Sequence, residues 1–177
     1  MQVHPTALPG VLLIEPRVFG DSRGFFLETF HAARYAAAGL TLPFVQDNWS
    51  RSTCGILRGL HFQWPNPQGK LVSVMSGAVW DVAVDIRRGS STFGQHVGVQ
   101  LSAENKRQLW IPPGLAHGFV VRSESADFLY KTTDYWFPEH ERCIRWDDPD
   151  LAIDWGLTEP PLVSTKDAAG ALFASLP

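Results

Sequence analysis

The 177-residue sequence predicts an all-β fold, an antiparallel sandwich or barrel with a few short peripheral helices. Short runs rich in β-branched and aromatic residues recur along the chain, and 13 prolines and 15 glycines are spread between them. Hydrophobic residues make up 45% and charged residues 19%, which suits one sizeable core. Because no repeat, low-complexity tract or linker is found, residues 1–177 are predicted to form a single domain.

Eight strands and two helices are predicted, each from its composition and from the turn residues that bound it. The first two strands are separated by the turn DSRG, the fourth and fifth by Gly77, and the fifth and sixth by RRGSSTFG. In chain order the predicted strands are 11–19, 25–30, 44–52, 71–76, 78–86, 96–101, 118–122 and 128–133. The helices are expected at 31–39, which ends at a glycine, and at 166–174 near the C-terminus.

Charge and hydropathy exclude several classes of partner. Fifteen basic residues against eighteen acidic ones give a net charge of -3, without the basic stripe that nucleic-acid binding requires. No apolar run approaches the ~18 residues of a membrane-spanning helix, and the first residues lack the pattern of a signal peptide. We therefore expect a cytoplasmic protein without a membrane partner. Cys54 and Cys143 could pair, although two cysteines so far apart in sequence are more often reduced thiols.

The predicted third strand carries a row of neutral polar side chains on one face. Side chains two apart in a strand share a face, which groups Gln46, Asn48, Ser50 and Ser52. A sealed core would not tolerate such a row without hydrogen-bond partners. The face therefore lines a wet cavity or lies on the solvent-exposed side of the sheet.

The segment DSRGFFLETF places an acid and a base beside aromatic side chains. The same alternation groups Phe26, Glu28 and Phe30, with Arg23 in the turn just ahead. This arrangement can clamp a ring that has a polar rim. The alternative is that Arg23 is a solvated turn residue, as single arginines usually are.

The stretch LRGLHFQWPNPQGKLV brings three cationic residue types close together. Arg58 and His61 are three apart, so a regular strand would send them to opposite faces, but a bulge at Gly59 would realign them. Lys70 shares its parity with apolar Val72, so its ammonium either reaches solvent or is enclosed and desolvated. Convergence of the three side chains is therefore a hypothesis.

Several reaction classes fit these residues poorly. Only His61 and His117, the latter on the expected turn PPGLAH, are placed to bind a metal, and the cations near them would repel it. No nucleophile elbow surrounds a serine, and neither Gly-rich nucleotide motif is present. We expect no metal and no cofactor, and acid–base chemistry next to an anion remains.

Seven blocks now identify a family. In this order and spacing, they resemble the dTDP-4-dehydrorhamnose 3,5-epimerase family, jelly-roll proteins of the cupin superfamily, over residues 10–167: DSRGFFLETF, FVQDNWSRS, LRGLHFQ, QGKLVSVMSG, WDVAVDIRRGSSTFG, LSAENKRQLWIPPGLAHGFVV and LYKTTDYWFPEHE. PPGLAH is also similar to the second cupin signature, whereas the first signature lacks its metal ligands. Long ordered blocks are far more specific than any one short motif.

The resemblance implies a role for each matching residue. The catalytic set is His61 as base, Asp167 as its carboxylate partner, Tyr130 as acid and Lys70 near the 4-keto oxygen. The substrate-binding set is Arg23, Phe26, Glu28, Gln46, Asp47, Asn48, Arg58, Lys70, His117, Trp136, Glu141 and Lys166. The implied substrate is a dTDP-sugar, and the implied partner is a second copy of the chain, whose residues 23–28 complete the site.

Three other functions are weighed against a double epimerase. A C3 or C5 mono-epimerase would use nearly the same residues. A non-catalytic sugar-binding cupin is disfavoured by the complete catalytic set, and a metal-dependent oxygenase by the small number of metal ligands. One departure from the family is Trp136, at a position that stacks on thymine and is often tyrosine; its larger ring is expected to stack at least as well.

Overall fold

A computed structural model describes residues 1–176 and consists mainly of short strands. The strands are β1 (Gln2–Pro5), β2 (Leu12–Glu15), β3 (Val18–Asp21), β4 (Gly24–Leu27), β5 (Gln46–Thr53), β6 (Leu57–Gln63), β7 (Lys70–Ser76), β8 (Ala78–Asp85), β9 (His96–Ser102), β10 (Gln108–Ile111), β11 (Leu115–Val121), β12 (Ser125–Thr132) and β13 (Glu141–Cys143). The helices are α1 (Ala32–Ala37) and α2 (Thr165–Ala168), with 3-10 turns at Pro138–His140 and Phe173–Ser175. No helix in the described part of the chain has the length and apolar character needed to cross a bilayer.

Two antiparallel sheets pack face to face and form the sandwich. The larger sheet has the order β1-β2-β10-β7-β12-β5, the smaller one the order β13-β6-β11-β8-β9, and β3 and β4 form a separate hairpin. Apolar side chains from both sheets, among them Val72, Leu109, Phe119 and Phe128, fill the space between them. The predicted all-β jelly-roll sandwich with few peripheral helices is confirmed.

Several element boundaries differ from the predictions. The run 11–19 is split into β2 and β3 by Pro16, which removes a ladder donor, and β1, β6, β10 and β13 were not among the eight predicted strands. His117 lies inside β11 and not on a turn, because the turn ends at Gly114. The expected helix 166–174 ends at Ala168, since the chain turns at Gly170 to bridge Ile144 through Ala171.

A bulge in β6 brings Arg58 and His61 to the same side. His61 pairs with His117 and Arg58 with Phe119, so three residue steps on β6 oppose two on β11. Gly59 lies in this bulge with φ +121, and a Cβ there would stand 2.6 Å from the Cα of Gly118. Only glycine allows so close an approach, which confirms the bulge hypothesis.

The C-terminal segment returns to β6 and carries α2 to the back of that strand. Leu57 donates its N–H to the carbonyl of Leu162 at 2.9 Å, which anchors the returning chain. Ser164 then caps α2, where its hydroxyl accepts from the N–H of Asp167 at 3.1 Å. This short helix holds the carboxylate of Asp167 beside the middle of β6.

Candidate active site

A cavity of about 300 Å³ opens between the two sheets. Its walls are formed by Gln46, Asn48, Ser50, Arg58, His61, Phe62, Gln63, Gln68, Lys70, His117, Phe119, Phe128, Tyr130, Trp136 and Glu141. The polar row of β5 therefore lines a cavity and does not lie on the solvent-exposed side of the sheet. Its last member, Ser52, accepts a hydrogen bond from Nε of Arg58 at 2.9 Å and so orients the guanidinium.

His61 and Asp167 form a short hydrogen-bonded pair at the cavity wall. Nε2 of His61 lies 2.6 Å from Oδ1 of Asp167, whose side chain is buried, and the Gly59 N–H donates to Oδ2 at 3.4 Å. Burial alone would raise the pKa of Asp167, but the hydrogen bond and charge of His61, together with hydrogen bonds from Gly59 and Ser164, outweigh burial and lower this pKa. A carboxylate therefore faces Nε2, which takes the proton and leaves the lone pair of Nδ1 free as a base.

Lys70 carries the positive charge deepest in the cavity. It begins β7 in the larger sheet, and its Nζ approaches the carbonyl oxygen of His61 at 3.5 Å. Burial lowers the pKa of its ammonium to about 8, while Glu141 and Asp81 favour the charged form. Of the two alternatives for Lys70, an ammonium that reaches solvent or one that is enclosed, the second is therefore correct. Below pH 8 the ammonium is mostly charged and can attract an anionic ligand.

Tyr130 faces His61 from the opposite sheet. It lies on β12, and its neighbours on either side of the ladder are Asn48 of β5 and Val72 of β7. Burial raises the pKa of the phenol, an effect to which the negative charge of Glu141 adds. The hydroxyl is therefore a proton donor at neutral pH, on the wall across from the histidine.

A second histidine–carboxylate pair lies deeper in the same cavity. Nε2 of His117 is 2.9 Å from Oδ2 of Asp81, and both side chains are buried. Burial lowers the pKa of His117 in spite of the neighbouring carboxylate. Neutral His117, whose ring stacks on Phe128, is a hydrogen-bonding wall residue rather than a third cation.

Trp136, Glu141 and Lys166 form the rim of the cavity. The indole Nε1–H of Trp136 donates to Oε2 of Glu141 at 3.1 Å, and Nζ of Lys166 lies 2.5 Å from the same oxygen. Burial alone would raise the pKa of Glu141, but these two donors hold it below its ordinary value. The backbone N–H of Trp136 also donates to Oε1 of Gln46 at 3.0 Å, so the exposed indole is held over the opening.

Four predicted site residues lie away from the cavity within the same chain. Arg23 pairs with Asp21 in the exposed β3–β4 hairpin, next to exposed Phe26, and Glu28 accepts from Arg34 at 2.7 Å. Asp47 points to the other face of β5, where Nζ of Lys131 lies 2.9 Å from its Oδ1. The expected common face of Phe26, Glu28 and Phe30 is not formed, because β4 ends at Leu27.

Other cavity residues were missed from the sequence. Asp81, the partner of His117, is one of two buried acids in the otherwise apolar strand β8, with Asp85 the other, and that contrast is a signal that would have marked it. Gln63 fixes the rim, since its amide donates to the carbonyls of Asn66 at 2.7 Å and Tyr135 at 3.1 Å. Nothing in the sequence around Gln63 distinguishes it from a surface glutamine.

Cys143 lies behind the His61–Asp167 pair. Its Sγ is 3.8 Å from Oδ1 of Asp167, and burial together with that carboxylate raises the pKa of the thiol to about 12. The thiol is therefore protonated at neutral pH and unsuited to nucleophilic attack. Cys54 is exposed, and neither cysteine forms a disulfide.

The geometry as a whole suits proton transfer on a bound anion. His61 and Arg58 on the smaller sheet face Tyr130 and Lys70, which lie on adjacent strands of the larger sheet. Two proton-transfer groups on opposite faces can invert a carbon centre, whereas one group alone returns the proton to the face it left. The cavity therefore contains the groups that acid–base chemistry next to an anion requires.

Comparison with known proteins agrees with this geometry. Residues 5–175 match the family model described as dTDP-4-dehydrorhamnose 3,5-epimerase. The dTDP-4-dehydrorhamnose 3,5-epimerase of Pseudomonas aeruginosa is 62% identical over 175 residues, which cover 98% of this chain and 97% of that protein. A Legionella pneumophila dTDP-6-deoxy-D-glucose-3,5-epimerase, solved with dTDP-4-keto-L-rhamnose, superposes with a TM-score of 0.97 at 57% identity, covering 99% and 94% of the two chains.

A mono-epimerase is more distant in sequence. The 3'-monoepimerase of Streptomyces bikiniensis, solved with dTDP-quinovose, has a TM-score of 0.91 at 32% identity, covering 97% of this chain and 88% of the other. The fold is therefore common to both kinds of enzyme. Sequence identity to the two 3,5-epimerases named above, at 62% and 57%, is higher.

Proposed function

The chain belongs to the dTDP-4-dehydrorhamnose 3,5-epimerase family and is a carbohydrate epimerase acting on a nucleotide-linked 4-keto-6-deoxyhexose, and we propose that the cavity between its sheets is the active site. The observation that carries the proposal is the opposition of His61 and Tyr130 across this cavity, with Lys70 on the strand next to that of Tyr130. The reaction converts dTDP-4-keto-6-deoxy-D-glucose to dTDP-4-keto-L-rhamnose by inverting C3 and C5.

Substrate binding follows from the charges around the opening. Arg58, held by Ser52, meets the diphosphate through charge-assisted hydrogen bonds, each worth roughly 1.5–3 kcal/mol. Trp136 stacks on the thymine, and its bond to Glu141 fixes the plane of the indole. The polar contacts to the nucleotide sugar are supplied by Gln46, Asn48, His117, Glu141 and Lys166.

Proton abstraction is assigned to Nδ1 of His61. The 4-keto group acidifies the hydrogens on C3 and C5, because either carbanion is delocalised onto the ketone oxygen as an enolate. Asp167 keeps the proton on Nε2 and stabilises the imidazolium that forms when Nδ1 takes a substrate proton. One base can serve both carbons, since they flank the same carbonyl.

Lys70 and Tyr130 complete the inversion. The Lys70 ammonium stabilises the negative charge that develops on the enolate oxygen, and its enclosure strengthens that interaction. Tyr130 then donates a proton to the face opposite His61, which inverts the centre. Before the second centre reacts, His61 releases its proton to solvent and the Tyr130 phenolate takes a proton up from solvent.

Incubation of dTDP-4-keto-6-deoxyglucose with the enzyme in deuterated buffer tests this function. We expect NMR to show deuterium at both C3 and C5 of the product, undiminished by EDTA. Deuterium at one carbon only would indicate a mono-epimerase, and at neither a sugar-binding protein. Loss of exchange in EDTA would instead favour the metal-dependent alternative.

A homodimer is part of the proposal. The β3–β4 hairpin exposes Phe25 and Phe26 at 63% and 69% of their surface, which is unusual for two adjacent large apolar residues. Arg23 lies at the same tip, where its side chain is 88% exposed and pairs with Asp21 of the same turn. Insertion of this hairpin into a partner's cavity would cover the aromatic rings and supply Arg23 to the diphosphate.

Mixing two inactive variants distinguishes a shared site from a self-contained one. After subunit exchange between Arg23→Ala and His61→Asn dimers, each mixed dimer has one intact site if Arg23 acts across the interface. About a quarter of the wild-type activity should therefore return in a 1:1 mixture assayed below KM. Differently tagged chains verify the exchange, and mixed dimers without activity would contradict the shared site.

Three narrower statements complete the proposal. We assign residues 1–177 to one epimerase domain, the last of which lies outside the described residues. Asp47 is a weaker candidate for substrate contact than its neighbours, because its side chain is directed to Lys131. A cytoplasmic location remains a prediction of the sequence.

A further inference from the structure

The His61–Asp167 pair has a third metal-binding side chain next to it, which the proposed reaction does not use. Cys143 on β13 is the ladder partner of His61 on β6, so the two side chains are adjacent in the smaller sheet. Nε2 of His61, Sγ of Cys143 and a carboxylate oxygen of Asp167 all lie within 4.8 Å of one another. Imidazole, thiolate and carboxylate are the three ligand types that zinc prefers in proteins.

The spacing of these atoms is close to that of a tetrahedral site. Zinc bonds of about 2.0 Å to nitrogen and oxygen and 2.3 Å to sulfur place the ligand atoms roughly 3.3–3.5 Å apart. Sγ and Oδ1 are 3.8 Å apart, and Nε2 and Oδ1 are 2.6 Å apart. Binding therefore requires the His61–Asp167 hydrogen bond to open by roughly 0.7 Å. It also requires Sγ, which lies within 4.8 Å of the ring nitrogen, to stand roughly 3.5 Å from that nitrogen.

We propose that His61, Cys143 and Asp167 form an inhibitory binding site for a thiophilic divalent cation such as Zn²⁺. This site differs from the cage of His61 and His117 that the sequence disfavours, because its other ligands are a thiolate and a carboxylate. Two anionic ligands offset the charge of the ion. His61 lines the cavity, so a water molecule can supply the fourth ligand from that side.

Nearby cations oppose the ion less than their number suggests. Lys166 is paired with Glu141 at 2.5 Å, so much of its charge is offset. Arg58 is drawn toward Ser52, and Nζ of Lys70 is directed to a backbone carbonyl. The buried carboxylate of Asp81 adds a negative charge in the same cavity.

Inhibition follows from the positions of the protons. The ion displaces the Sγ proton of Cys143 to solvent and takes the lone pair of Nε2, so the ring proton must reside on Nδ1. Nδ1 is then unable to accept a substrate proton. Inhibition by the ion rests on the proposed role of His61 as the base. Binding of the ion does not depend on that role.

Cobalt binding and zinc inhibition test the two parts separately. Enzyme stripped with EDTA and freed of the chelator is titrated with Co²⁺, followed by the thiolate-to-metal absorption band, and its activity is titrated with Zn²⁺. The wild type and the matched control Cys54→Ser should show the band and the inhibition. Cys143→Ala should lose the band, keep its basal activity and need more than about tenfold more Zn²⁺ for half-inhibition.

The cobalt band and the zinc inhibition together show whether the proposed site exists. A band and inhibition that survive in Cys143→Ala, or no band in the wild type, would overturn the site. A Cys143-dependent band without inhibition would support the site and contradict His61 as the base. Should Cys143→Ala fold poorly, Cys143→Ser preserves the size of the side chain and replaces the thiolate by a weak ligand, so the same loss of the band is expected.

Discussion

Replacing His61 with asparagine should abolish deuterium incorporation at both C3 and C5 together and lower kcat by about 10³-fold, within the range for loss of a general base. Asparagine is polar, smaller than histidine and without a titratable nitrogen, so it removes the base and leaves Arg58 and the rim in place. KM should change little, because binding is assigned to Arg58 and the rim. The measurement is NMR of the substrate in deuterated buffer, alongside steady-state kinetics.

The matched control for this variant is His4→Asn. His4 lies on β1, is about half exposed and is far from the cavity lining, so its loss should leave exchange and kcat unchanged. Exchange that survived at one carbon in the His61 variant would show that a second base acts there. The His117–Asp81 pair would be the candidate, because its imidazole is neutral and lines the same cavity.

Local patterns predicted the walls of the cavity well. Alternation along β5 grouped Gln46, Asn48 and Ser50, and all three line it, because strand parity depends only on neighbouring residues. The glycine between Arg58 and His61 predicted the bulge for a similarly local reason. Strand alternation did not predict whether the polar face of β5 meets solvent or the opposite sheet. That depends on how β6 packs across the cavity.

Long-range contacts were beyond local patterns. Asp167 is 106 residues from His61, and only the resemblance to a known family connected them. Cys143 joins the same pair through the register of β13 on β6, a three-residue strand too short for its composition to indicate. The donor bond from Trp136 to Glu141 likewise depends on how the 3-10 turn at Pro138–His140 folds the chain back.

The opposition of the two sheets also explains why a sandwich suits this chemistry. His61 is fixed on the smaller sheet, and Lys70 and Tyr130 on adjacent strands of the larger sheet, so neither wall can move independently of the core. The side chains on the two walls therefore keep their separation when a flat sugar ring enters between them. The proposed base and the proposed acid, which must act on opposite faces of the sugar, therefore lie on different sheets.

Tyr130→Phe should separate exchange from inversion. Without the phenol no acid stands on the face opposite His61, so epimerised product should form about 10²–10⁴-fold more slowly. His61, Asp167 and Lys70 remain, and the base can still remove a proton and return a deuteron to the same face. We therefore expect deuterium to enter unepimerised substrate at a rate reduced far less than that of product formation, as followed by NMR.

Tyr135→Phe is the matched control for this separation, because Tyr135 is exposed and contributes only its backbone carbonyl to Gln63. It should behave as the wild type in both measurements. If exchange and inversion instead fell in parallel in Tyr130→Phe, the phenol would be needed before the proton leaves, for example to polarise the ketone beside Lys70. Inversion at the wild-type rate would mean that water protonates the enolate on the face opposite His61. Tyr130 would then not be the acid, and exclusion of water from that face would not be part of the mechanism.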